Sequence, residues 1–202
     1  MTDRDAAPGV VVERGGTEDA AAVADCWVAL AEGQQAHGSR LLADRNRHAA
    51  REAALRHAVT GGLFVARRCE MPSAADGISA DDATATADVA VDLDAEPIAL
   101  VEADVDADPD DVLGFVTASL ATGEFVEASD RGVVRNLYVR PEARGHGIGT
   151  ALLAVGEAHL AAEGAAVVSL EVLAANEAAR RFYRRHGYGL HRVELQRRID
   201  DR

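Results

Sequence analysis

Hydrophobic and polar positions along this chain alternate in two rhythms, and the switches between them mark out its elements. "GVVVERGG" (9–16) is a short apolar run closed by a Gly-Gly turn, which predicts a first strand. Thr17 then reads as the N-cap of a helix with acids in its first turn. Ala20, Val23, Trp27, Leu30 and Ala31 share one face of that helix, and Gly33 fits its stop. "NRHAAREAALRHAV" predicts a second helix, leading through Gly61-Gly62 into a strand, "LFVARR". "AEPIALVEADV" and "DVLGFVTASL" follow as strands, Gly114 in the latter suggesting a bulge or a close approach, and "GEFVEAS" as a hairpin partner. Then come the strand "GVVRNLYV", a glycine-rich turn and a helix over about 147–163, with Ile148, Leu152, Val155 and His159 on one face and Gly164 as its stop. "AVVSLEVL" predicts a strand, Asn176 opens a helix ending near Gly187, and "LHRVELQRR" predicts a closing strand. Strands and helices alternating in this way define an α/β class in a single domain spanning 1–202.

Composition narrows the functional classes. The 202 residues are 48% hydrophobic, enough for a globular core. No apolar run approaches the ~20 residues that cross a bilayer. The polar start "MTDRDAAPGV" lacks the basic-then-apolar order of a signal peptide, so a cytoplasmic protein with no membrane partner is expected. Cys26 and Cys69 lie in unrelated contexts, which argues against a disulfide or a metal site. All 21 basic residues are arginine and 34 residues are acidic, for a formal charge of −13. Such a surface disfavours nucleic acid, whose phosphates need basic patches. The absence of lysine with so many carboxylates resembles proteins of salt-loving archaea, where molar salt screens the repulsion; a GC-rich genome gives a similar bias. From Cys69 to Asp130 there are 17 acids and no basic residue, and the stretch from about 69 to 96 reads as an acidic, mobile insertion.

The segment "RPEARGHGIGTALL" (140–153) carries the chemistry. Glycines at 145, 147 and 149 before a helix expose unpaired amides at the positive end of the helix dipole, a setting for phosphate. A P-loop would need Lys-Ser/Thr after the last glycine, whereas Thr150-Ala151 follows and the chain has no lysine. A dinucleotide fingerprint needs G-x-G-x-x-G directly after a strand, whereas here the spacing is G-x-G-x-G and a five-residue loop intervenes.

"LYVRPEARGHGIG" followed by "EVLAANEAARRFYRRHGY" resembles the acyl-CoA pyrophosphate loop and later Asn-to-Tyr segment of the GCN5-related N-acetyltransferase (GNAT) family. The resemblance is strong over 112–196, and in motif style it is similar to the ribosomal-protein alanine acetyltransferases. It implies a mixed, mostly antiparallel sheet with splayed parallel strands, flanked by helices. It further implies that amides of Arg144, Gly145, His146, Gly147, Ile148, Gly149 and Thr150 hold the pyrophosphate of acetyl-CoA. Leu137, Tyr138 and Val139 would line the pantetheine arm with main-chain groups, and Asn176 would both cap its helix and bond the pantetheine. Tyr183 would protonate the leaving thiolate as general acid, and Glu171 would take the amine's proton as base. A carboxylate between Leu170 and Val172 is expected to be poorly hydrated, which favours a base. His146 reads as a filler of the turn and His186 as a cap of helix carbonyls. The implied function is acetyl transfer from acetyl-CoA to a primary amine, at a protein N-terminus or on a small molecule, by direct attack in a ternary complex without metal. The alternative is an acyl-CoA-binding regulatory module without turnover. Homodimer formation stays open.

Overall fold

A computed structural model describes residues 8–70, 91–95, 98–103, 105–108, 111–122, 129–197 and 199. The acidic insertion falls largely, and "GEFVEAS" almost entirely, outside the described residues. The elements are β1 (Pro8–Arg14), α1 (Ala20–Gln35), α2 (Arg47–Val59), β2 (Leu63–Glu70), β3 (Ala99–Glu102), β4 (Val112–Leu120), β5 (Arg131–Val139), α3 (Ile148–Ala162), β6 (Val167–Leu170) and α4 (Glu177–Arg185). The six strands form one sheet in the order β3-β1-β2-β4-β5-β6. Every neighbouring pair is antiparallel except β5 and β6, which run parallel. The α/β class and the mixed, mostly antiparallel sheet expected from the sequence are both present.

Strand alternation, with a register shift between β2 and β4 that leaves Leu113 as an extra residue beside Gly114, sorts the core onto two faces. On one, Phe64, Leu113, Val116 and Val134 pack with Ile148, Leu152, Val155 and Leu160 of α3. On the other, Leu63, Val65, Phe115 and Tyr138 pack with Ala20, Val23 and Cys26 of α1 and Ala54 of α2. The predicted face of α3 is therefore its buried face, and Gly164 ends that helix at φ +92°.

Two boundaries differ from expectation. The N-cap of α1 is Asp19, not Thr17. The Asp19 carboxylate accepts the Gly16 N–H at 2.8 Å and pairs with Arg67 of β2, which holds the preceding turn outside the helix. The helix also runs through Gly33, and the chain reverses at Gly38, which has φ +92°. Further on, "LHRVELQRR" does not form a strand among the described residues. Leu190 has the opposite parity to Val193 and Leu195, so an extended conformation would give no single apolar face. These side chains are 84%, 63% and 90% exposed.

Gly114 meets the expected close approach. A Cβ there would lie 2.6 Å from the Tyr138 carbonyl oxygen and 3.1 Å from Leu152 Cδ1. Backbone cannot yield as a side-chain tip does. Gly114→Ala should therefore destabilise the protein by about 2–3 kcal/mol, the scale of overpacking in a dense core. At this chain length that lowers the melting midpoint by roughly 4–12 °C, measurable by thermal circular dichroism.

Candidate active site

The site forms where β5 outruns β6. The two strands pair from Arg131↔Val167 to Val134↔Leu170, and there β6 ends. Beyond that point β5 continues to Val139 with no partner on its β6 side among the described residues. Hydrogen bonding shows which groups face the opening. The Arg140 N–H donates to Leu113 O of β4 at 2.8 Å. Backbone groups alternate sides along a strand, so those of Tyr138 also face β4 while those of Leu137 and Val139 face the gap. The Val139 carbonyl accepts from Arg144 Nε at 3.0 Å, which folds the turn back over the strand end.

Tyr138 thus separates from its two neighbours. Its main chain belongs to the β4 ladder and its side chain points to the α1 face. There, together with Asp25, Cys26, Ala29, Arg140 and Pro141, it lines a cavity of about 230 Å³. Burial pushes up both the Cys26 thiol and the Tyr138 phenol, so both are protonated at neutral pH.

The glycine turn connects β5 to α3 through a single 3-10 turn at Pro141–Ala143. Gly145 and Gly147 have φ +86° and +82°, conformations that cost L side chains about 1–2 kcal/mol. Arg144 N–H donates to Pro141 O, and the amides of Thr150 and Ala151 donate to Gly147 O. The amides of Gly145, His146, Gly147, Ile148 and Gly149 have no backbone acceptor among the described residues. The open amide window is therefore narrower than the expected Arg144–Thr150, by one residue at each end. A Cβ at Gly145 would meet nothing within 4 Å, so the turn opens outward. Unpaired amides at the start of a 15-residue helix, with open space before them, fit an anionic pyrophosphate.

On the same face, α4 closes the site. Asn176 caps it, its Oδ1 accepting from the Ala179 N–H at 3.0 Å. Phe182 lies within 3.8 Å of where a Gly149 Cβ would stand. Tyr183 is half-buried against the same apolar cluster as Leu137 and Val139, its ring 5.3 Å from Phe182 and 5.7 Å from Tyr188. The Tyr183 hydroxyl makes no hydrogen bond among the described residues, and burial raises its pKa above the ordinary phenol value. The fold therefore gathers Leu137, Val139, the start of α3 and Tyr183 on one side, while Asn176 contacts its own helix.

Glu171 has a different setting from the one expected. It lies one residue beyond β6 and is exposed, and Val172 beside it is 37% exposed. Its carboxylate is exposed because β6, and with it the pairing to β5, ends at Leu170. His146 is exposed on the turn, in keeping with a filler. The arginine run on α4 is largely solvated, with Arg181 pairing to Glu177 at 3.4 Å.

Two contacts were not visible in the sequence. Tyr188 donates to Glu157 Oε1 at 2.5 Å, tying the chain after α4 to α3. His186 reaches from the end of α4 to Thr150 in the first turn of α3. Only the order Gly-Tyr after the helix hinted at the first, and nothing in the local pattern pointed to the second.

Comparison with known proteins agrees with this geometry. Mycothiol acetyltransferase of Streptomyces griseus is 43% identical over 76 residues, covering 37% of this chain and 25% of that protein. Its counterpart in Kocuria rhizophila is 40% identical over 91 residues, covering 45% and 30%. The matched segment thus spans less than a third of each relative's length. A GCN5-related N-acetyltransferase from Ralstonia eutropha superposes with TM-score 0.60 at 18% identity over 94% of this chain and 98% of that one. The NatC complex bound to Gag peptide and CoA gives TM-score 0.56 at 16% identity over 92% and 86%. The model of the Acetyltransferase (GNAT) family matches residues 65–188, more than half of the chain and the whole of the site, and the chain belongs to that family.

Proposed function

We propose that this protein is an acetyl-CoA-dependent N-acetyltransferase acting on a primary amine. The observation that carries the reading is the set of five amides, Gly145 to Gly149, and the Tyr183 hydroxyl, all without a hydrogen-bond partner among the described residues, beside the β5 edge beyond its pairing with β6. Acetyl-CoA would supply the activated thioester. The amide window binds its pyrophosphate, with Arg144 at the rim. The main-chain groups of Leu137 and the Val139 N–H, together with Asn176, position the pantetheine arm. Tyr183, kept protonated by burial, donates its proton to the departing sulfur. Glu171 accepts the amine's proton through solvent from its exposed place beyond β6. The transfer is direct: Cys26 lies on the opposite face, and Cys69 sits on β2, two strands from β5.

Similarity to mycothiol acetyltransferases supports a small-molecule amine as the acceptor. The resemblance of "LEVLAANEAARRFY" to ribosomal-protein alanine acetyltransferases is the reason to test a peptide N-terminus beside it. The experiment is CoA release from acetyl-CoA across a panel of small primary amines and an alanine-initiated peptide. Acceleration by a small amine is the expected result. Acceleration only by the peptide would reassign the acceptor. Tight acetyl-CoA binding without acceleration by any amine would favour a non-catalytic acyl-CoA module.

A further inference from the structure

The amide window and the proposed acid sit on different elements, α3 and α4, and something must fix their separation. Two hydrogen bonds from one imidazole do this. His186 Nδ1 lies 2.9 Å from the Phe182 carbonyl oxygen, one turn back on α4. Its Nε2 lies 3.2 Å from Thr150 Oγ1, in the first turn of α3. A carbonyl can only accept, so Nδ1 carries the proton in the neutral ring. Nε2 then presents its lone pair to the Thr150 hydroxyl, which donates. The ring is held further by Phe182, with centroids 4.4 Å apart. Phe182 itself lies against Gly149, and Tyr183 is the next residue.

We propose that His186 is a positioning residue that, through Thr150, holds Tyr183 of α4 in register with the cofactor turn. The ring spans from a backbone carbonyl of α4 to a side chain one residue beyond the amide window. The cradle itself is closed without α4: Thr150 and Ala151 amides bond to Gly147 O whether or not His186 is present. Removing the bridge therefore leaves the turn competent to bind and lets the phenol drift from the place where a leaving sulfur needs it. The effect on turnover rests on Tyr183 being the acid, as proposed above; the bridge does not.

The test is a double-mutant cycle of His186→Phe and Thr150→Val. Phenylalanine keeps the ring packing on Phe182 and deletes both nitrogens, and valine is close in shape to threonine without the hydroxyl. CoA release from saturating acetyl-CoA is followed with water as the acyl acceptor, which keeps the unidentified amine out of the measurement. Each single variant should lower this kcat about tenfold while changing acetyl-CoA affinity, read by calorimetry, less than threefold. The double variant should be no slower than the slower single one, because the two groups act through one bond. Multiplying effects in the double variant, or affinity and kcat falling together, would overturn the proposal. Thr150→Val alone carries the same kcat-against-affinity test should His186→Phe fold poorly. Tyr183→Phe with undiminished turnover would remove the acid assignment, while coupling between His186 and Thr150 in the cycle would still establish the bridge.

Discussion

Gly147→Glu should abolish acetyl-CoA binding, with affinity falling at least 100-fold, while the far-ultraviolet circular dichroism stays that of the wild type. Gly147 is the N-cap of α3 with φ +82°, and a side chain there costs about 1–2 kcal/mol of backbone strain. It has room to fit: the nearest atom to its Cβ would be Val101 Cγ1 at 3.7 Å. The fold therefore survives, and the loss arises in the site. A carboxylate at this position bonds the unpaired amides in place of the pyrophosphate and repels what it does not displace, two effects at one helix N-terminus. Gly164→Glu is the matched control. Gly164 has φ +92° and open space around its Cβ, but it ends α3 at the far pole from the turn. It carries the same strain and the same charge, so its acetyl-CoA affinity should stay within twofold of the wild type. Equal losses in both variants would mean that strain or net charge, not occupation of the amide window, governs binding.

What can be read from the sequence is what is encoded locally. The turn at 144–149 is legible because only glycine supplies both positive φ and bare backbone, so its residues announce its conformation. The periodic burial of α3 and the cap at Asn176 are local in the same sense, and both are present. The setting of Glu171 depends on where the pairing of β6 with β5 ends, which apolar neighbours do not specify. Tyr138 shows the same limit: three consecutive residues carry one motif, yet strand alternation turns the middle one to the opposite face. The closing strand is missing for a related reason. "LHRVELQRR" has β-forming residues but no consistent apolar face, and a strand needs a face to bury as well as propensity. His186 reads from its own helix as a carbonyl cap, and it does contact Phe182 O. Its second bond spans 36 residues and comes only from the packing of α4 on α3.

Tyr183→Phe should lower turnover about 100-fold, within the usual contribution of a positioned general acid, and leave acetyl-CoA affinity unchanged. The affinity should hold because the lost group is a hydroxyl with no partner among the described residues, while the ring keeps its contacts with Phe182 and Tyr188. The pH profile separates loss of an acid from loss of packing. Burial raises the Tyr183 pKa above the ordinary phenol value, so the phenol stays protonated through the neutral range. An acid works only while protonated, so the Tyr183 limb in the wild-type profile is a fall in rate on the alkaline side of the ordinary phenol range. Tyr183→Phe should lack that limb and run at its low rate across the same range. Stability carries the same sign. A folded-state pKa raised above the unfolded value contributes stability that is whole below about pH 10 and is lost as pH climbs through the folded value. Tyr188, raised by burial and then by its bond to Glu157, adds to that loss and remains in the variant. Alkaline unfolding should therefore persist in Tyr183→Phe, while the alkaline limb of turnover disappears over the pH range in which circular dichroism shows the variant still folded. If the limb persists in Tyr183→Phe while the protein is folded, it belongs to another group, and the proton on the leaving sulfur comes from elsewhere.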